Sequence, residues 1–195
     1  MDLPNVEGKL REARFFLESM RKAEEKWPTG DCEREPFVFY LSAFLSASWS
    51  VRDRMFADQK HVHPPPFSSK TKLDAWYANW RDKLQQRERS VYRVLSGDRS
   101  AEIHGRGSRA QPKGEEVSLS DLRLRQPSNQ VVFSPPPFFD EVPVDLTIER
   151  FRYGFNIDGV WCKATDACAE YLKLLEQVVA KFQAGLPLMQ TRGCP

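Results

Sequence analysis

Cysteine is scarce in this chain. Four occur in 195 residues, at Cys32, Cys162, Cys168 and Cys194, with no C-x-x-C pair. That excludes a disulfide scaffold and leads to the expectation of reduced thiols in a cytoplasmic protein. An excess of one charge is missing too: 29 Lys and Arg against 27 Asp and Glu leave a net +2. Binding a polyanion through overall charge is thereby excluded, and any nucleic-acid contact must come from a local patch. Long apolar runs are also absent. The longest uncharged stretch, Pro36 to Val51, has 16 residues and includes Ser42, Ser46, Ser48 and Ser50. A span needs roughly 20 apolar residues, so no membrane segment is expected. Met1 to Asn5 has neither a basic nor an apolar region, so no secretory leader is expected. Glycine-loop nucleotide motifs, the G-x-S-x-G elbow and H-E-x-x-H are all missing. These absences remove the most recognisable routes to phosphoryl transfer, serine hydrolysis and zinc proteolysis.

What is present is enough for one ordinary domain. Apolar residues make up 41%, enough for a sizeable core, and 29% charged with 12% aromatic residues argues against disorder of the whole chain. The first hundred residues read as helix. Val6, Leu10, Ala13, Leu17 and Met20 keep the rhythm of one buried stripe, with Pro4 suited to a first helical turn. A second helix starts around Pro36, its wide apolar face formed by Phe37, Leu41, Phe44, Leu45, Val51 and Met55. Ser42, Ser46 and Ser50 form a small-residue ridge able to bond back to i−4 carbonyls. After Pro64 to Pro66, Thr71 and Asp74 have the spacing of a capping box. Leu73, Trp76, Tyr77, Trp80 and Leu84 form a third stripe, resumed at Val91, Tyr92 and Leu95. Gly97 is the expected kink or break.

Residues 105–145 differ, with Gly, Pro and Ser at 14 of 41 positions. A loop so long is usually functional or disordered. Alternation at Val144, Leu146 and Ile148 shifts phase to Phe151, Tyr153 and Phe155, which predicts a bulge at Glu149-Arg150. Asp158-Gly159 signals a hairpin turn, with Val160 to Cys162 as the return strand. Thr165 or Asp166 caps a last helix with the stripe Ala167, Tyr171, Leu174, Val178 and Phe182, ended by Gly185. The expected architecture is mainly α: three or four bundled helices with a β-hairpin-rich insertion before the last one. It is a single domain over 1–195, with a helical core at 4–105 and 164–184 and an insertion at 106–162.

One short constellation carries chemistry: Arg99-Ser100-Ala101-Glu102-Ile103-His104-Gly105. Histidine exchanges protons near neutral pH, and arginine holds phosphate with a planar fork. Together they suffice for metal-free RNA cleavage, His104 moving protons while Arg99 neutralises the developing charge. A spacing of five in an ideal helix turns about 500°, some 140° off-face. Convergence therefore needs distortion near Gly97 or the reach of the arginine. The plainer reading is a helix end carrying cations that suit its dipole. Arg106, Arg109 and Lys113 follow as phosphate contacts or as a solvated basic loop. Arg52, Asp53 and Arg54 are open between the same groove and other surfaces. His61 and His63 lack a third metal ligand, so no metal or other cofactor is expected. Cys162 and Cys168 read as structural thiols. Trp76, Tyr77 and Trp80 read as core, with base stacking as the rival.

The segment Val94-Leu95-Ser96-Gly97-Asp98-Arg99 to His104-Gly105 resembles the signature of the HEPN superfamily, an arginine followed after four to six residues by a histidine at a helix end. The second helix (Phe39-Tyr40-Leu41-Ser42-Ala43-Phe44-Leu45) and the Trp-containing third are similar in kind. The resemblance covers 4–105 and, more loosely, 164–184. It implies a four-helix up-and-down bundle that dimerises, two Arg/His pairs meeting in one RNA-cleaving groove. Metal-independent endoribonucleases of toxin–antitoxin, phage-defence or stress systems are its activity class, beside members that bind nucleotides or have lost activity. Arg99 and His104 are the residues carried over. Ser100 stands where an asparagine or another strongly polar residue is usual, and offers a donor without an amide's paired acceptor. Two rival functions stand beside it. One is a non-catalytic scaffold binding a protein partner through 106–162. The other is a nucleotide-binding sensor.

Overall fold

The computed structural model describes residues 3–25, 34–61, 65, 67–103, 110–118 and 147–190. Five helices and a small antiparallel sheet run in the order α1 (Pro4–Glu25), α2 (Arg34–Gln59), α3 (Lys70–Asp82), α4 (Gln86–Ile103), β1 (Gln111–Ser118), β2 (Thr147–Ile157), β3 (Val160–Lys163) and α5 (Ala164–Gln190). The protein is therefore mainly helical, with its strands between α4 and the closing helix, as its periodicities predict.

α1 packs along α2, and α5 returns to touch α1, α2, α4 and the sheet. The stripes Val6, Leu10, Ala13, Leu17, Met20 and Ala167, Tyr171, Leu174, Val178, Phe182 are buried throughout. So are Phe37, Leu41, Phe44, Leu45, Val51 and Met55 of α2, which form one cluster with them. Polar links clip the outer surfaces. The Arg14 guanidinium donates to Glu176 at 2.6 and 2.9 Å, joining α1 to α5. Arg87 donates to Glu170 at 3.2 and 3.3 Å, joining α4 to α5. Exposed pairs of this kind contribute roughly 0–1 kcal/mol each, so the apolar cluster dominates.

Two adjacent buried polar residues at the end of α2 do more. The first residues of a helix leave N–H groups without intrahelical acceptors. Leu3, which precedes α1, has no side-chain oxygen to serve them. Asp58 supplies it from 52 positions away, accepting from the Asn5 and Val6 N–H groups at 3.1 and 3.0 Å, and also from the Asn5 amide. Next to it, Gln59 donates to the Phe67 carbonyl at 3.2 Å and accepts from its N–H at 3.1 Å. Phe67 in turn stacks on Phe182 of α5, with ring centroids 5.9 Å apart.

Four local expectations are corrected. The cap of α3 is Ser69, whose Oγ accepts from the Lys72 N–H at 3.3 Å; Asp74 lies 3.6 Å from Arg52 instead. The chain breaks at Lys83–Gln85, not at Gly97. A fresh start is stabilised there because Glu88 accepts from the Gln85 N–H at 3.0 Å. α4 then continues through Gly97, since an internal glycine costs only about 1 kcal/mol and Val91 and Leu95 anchor the turns before it. α5 likewise continues past Gly185 to Gln190. Finally, β1 and β2 pair in unbroken register from Gln111↔Gly154 to Ser118↔Thr147, so there is no bulge at 149–150. Val144 and Leu146 lie outside the described residues.

The hairpin signal holds. Asp158 (φ 53°) and Gly159 (φ 80°) are both left-handed, as a two-residue turn between twisted strands requires. Ser90 of α4 donates to Asp158 at 2.7 Å, docking the turn on the helices. On β2, a Cβ at Gly154 would overlap the Trp161 indole and the Cys162 carbonyl, so glycine lets the indole lie on the strand. Ser50 bonds back to the Ser46 carbonyl at 2.9 Å. No helix among the described residues is long and apolar enough to cross a membrane.

Asp58→Ala should cost about 2 kcal/mol in urea unfolding, because two N–H groups lose a buried charged acceptor. Asp58→Asn keeps an oxygen and should lose less than half of that. Equal losses for the two variants would show that the acceptor is not what matters.

Candidate functional site

α4 begins beside the hairpin and ends at Ile103. Arg99 and Ser100 fall in its last turn and a half, and His104 follows the helix directly. His104, Arg106 and Arg109 lie outside the described residues. α4 has no break at Gly97. Lys113 is the third residue of β1 and stands opposite Arg152 of β2.

Other charged candidates are committed elsewhere. Arg52 lies 3.6 Å from Asp74 and 5.4 Å from the Trp49 ring centre, and Lys70 pairs with Asp53 at 2.9 Å, so both α2 residues face α3. Arg54 is exposed. His61 is exposed and His63 lies outside the described residues. Among the described residues no group of three or more His, Cys, Asp or Glu side chains could hold a metal. Cys168 is buried in the core. Cys162 is half-buried, its Sγ 3.2 Å from the Arg87 guanidinium.

The third stripe divides in two. Tyr77 and Trp80 are buried, and with Tyr92 and Tyr171 they form a chain of edge-on and tilted rings 5.3–6.2 Å apart. Trp76 is only half-buried and rests edge-on against Phe182, with Phe67 beside it. Beside Trp76 and Trp80 lies a cleft of about 210 Å³, also lined by Asn79, Lys83 and Lys181. The sequence carries no signal for this cleft, because its walls come from α3, the α3–α4 turn and α5.

Burial, first of all, pushes the Tyr77, Tyr92 and Tyr171 hydroxyls above their ordinary range. Neighbouring tyrosines add to the rise for Tyr77 and Tyr171, while Arg52 opposes it in all three. No family model, curated protein or solved structure matches the chain.

The tyrosine cluster makes an alkaline prediction. A phenol whose folded pKa is raised favours the folded state fully below the unfolded value of about 10, and that contribution is lost as pH rises beyond it. Melting temperature should fall steeply above about pH 10, with these three tyrosinates forming together with unfolding in the ultraviolet. Tyr171→Phe should shrink the alkaline loss. Full ionisation of all tyrosines in a still-folded protein would contradict the cluster.

Proposed function

We propose that this is a HEPN-like protein that binds RNA and cleaves it without a metal, using Arg99 and His104. The observation that carries the reading is the course of α4. The helix runs unbroken to Ile103, so Arg99 falls near its end and the histidine follows directly, the arrangement that the HEPN-like signature implies. In this reading α1, α2, α4 and α5 form the four-helix up-and-down bundle.

The chemistry follows from the two side chains. His104 takes the proton of a ribose 2′-hydroxyl, whose oxygen attacks the adjacent phosphorus. The bond to the 5′-oxygen breaks, and that oxygen receives a proton from an imidazolium. Arg99 neutralises the charge that grows on the phosphoryl oxygens, where a planar guanidinium can make two charge-assisted hydrogen bonds. The products are a 2′,3′-cyclic phosphate and a 5′-hydroxyl. Ser100, Arg106, Arg109 and Lys113 supply further phosphate contacts, which position a strand without reading its sequence. With a net charge of +2, RNA affinity is modest and falls steeply with salt.

The homodimer belongs to the same proposal. Phe15 (64% exposed) on α1 and Phe39 (69% exposed) with Trp49 on α2 leave large apolar side chains on the surface of one helix pair. These exposed aromatic side chains are the surface that a partner copy would cover.

The test is cleavage of a mixed, end-labelled RNA pool by the purified chain in EDTA, beside His104→Ala and Arg99→Ala. The wild type should release cyclic-phosphate ends, and each variant should fall by about a hundredfold or more. No cleavage, or equal cleavage by all three proteins, would remove the assignment.

A further inference from the structure

The cleft between α3 and α5 has no part in the Arg99/His104 reading, and its composition is specific. Two indoles, one amide and two ammonium groups line about 210 Å³. No ion pair to Lys83 or Lys181 exists among the described residues, and nearby Asp82 pairs with Arg81 at 3.4 Å. Among the described residues, two cations therefore border one cleft without a carboxylate partner. Lys83 alone has a simpler explanation. It is the C-cap of α3, where a cation suits the helix dipole. That does not account for Lys181, which reaches the same cleft from α5.

The aromatic wall has its own peculiarity. Trp80 is only 5% exposed, yet its indole N–H has no acceptor among the described residues. A buried donor left unpaired costs about 1–3 kcal/mol, and proteins pair nearly all of them. That N–H has almost no surface of its own, so Trp80 contributes no donor to the cleft. Trp76 is half-buried and keeps part of its surface open, braced by Phe67 and Phe182 behind it. A braced, partly exposed indole is a stacking platform.

We propose that this cleft binds a nucleoside phosphate monoester. Its planar base rests on Trp76, and its phosphate, close to dianionic near neutral pH, lies between Lys83 and Lys181. The Asn79 amide offers a donor and an acceptor together, the complement of a base edge. Size limits the ligand. At about 210 Å³ the cleft is below the roughly 300 Å³ at which drug-sized sites begin, so it seats part of one nucleotide and leaves the rest outside. Two sources share this chemistry, a free mononucleotide and the phosphorylated end of an RNA strand. The site stands apart from the α4 terminus and does not depend on cleavage there.

The experiment is calorimetric titration of the full chain at low salt with AMP, UMP, adenosine and inorganic phosphate. Further arms use one RNA oligomer with and without a 5′-phosphate. A mononucleotide should bind at least about tenfold more tightly than adenosine or phosphate, since each of those leaves half of the site unused. Lys83→Ala with Lys181→Ala should weaken it by about tenfold or more and flatten its salt dependence. Both lysines are exposed, so the double variant should melt as the wild type does. Trp76→Leu should weaken binding where Trp76→Phe largely restores it. A 5′-phosphorylated oligomer that binds tighter than AMP identifies a strand end, and one that binds no tighter identifies the free nucleotide. Adenosine binding as well as AMP, or the double-lysine variant binding as the wild type, overturns the proposal. So does the absence of any mononucleotide binding. RNA cleavage by the double-lysine variant separates the two sites: it should persist if Arg99 and His104 act as proposed, whatever the cleft binds.

Discussion

The fold depends on two neighbouring side chains at the end of α2. Asp58 closes the open N-terminus of α1, and Gln59 holds both backbone groups of Phe67. Each satisfies groups that would otherwise be buried unpaired, so each acts as a constraint on register more than as a source of net energy. The first fixes α1 lengthwise against α2. The second fixes where the chain enters α3, and through the Phe67–Phe182 stack it fixes α3 against α5. The aromatic cluster and the Trp76 cleft lie downstream of that placement. Apolar burial supplies the driving force, but it would tolerate helices shifted by a turn, whereas these hydrogen bonds do not.

Much of this fold is legible in the sequence because helical burial is periodic. The stripes of α1 and α5 and the wide face of α2 are buried as their spacing predicts, and Asp158-Gly159 makes its turn for a purely local reason. The misses share one cause. Thr71, Gly97 and Gly185 signal boundaries by residue type, whereas the start of α3 and the break before α4 come from particular hydrogen bonds. Ser69 caps α3, and Glu88 restarts the helix after Leu84. The expected bulge came from a phase slip in hydrophobic pattern, which a strand can carry without any change in pairing. Asp58 and Gln59 gave no local signal at all, since their partners lie 52 and eight positions away.

The candidate site divides in the same way. Arg99 and His104 are close in sequence, so their pattern can be read directly. Whether α4 is whole beneath them is a tertiary matter, decided by the anchoring of Val91 and Leu95 in the core. Arg52 and Asp53 looked equally available in sequence, yet α3 claims both of them. The cleft gathers Trp76, Asn79, Lys83 and Lys181 from separate elements. Trp76 and Trp80 share a helical stripe, but one is core and the other is wall, a distinction that periodicity cannot draw.

The functional account rests on an unbroken α4 that carries Arg99 to its end. Amide hydrogen exchange along this helix tests that most directly. Protection should continue from the turns around Val91 across Gly97 and fade only at the last turn near Ile103, because each amide there is bonded to the carbonyl four residues before it. Rapid exchange beginning at Gly97 would contradict it. Arg99 would then sit in a loop, and the helix-end arrangement that supports the Arg99/His104 reading would be lost.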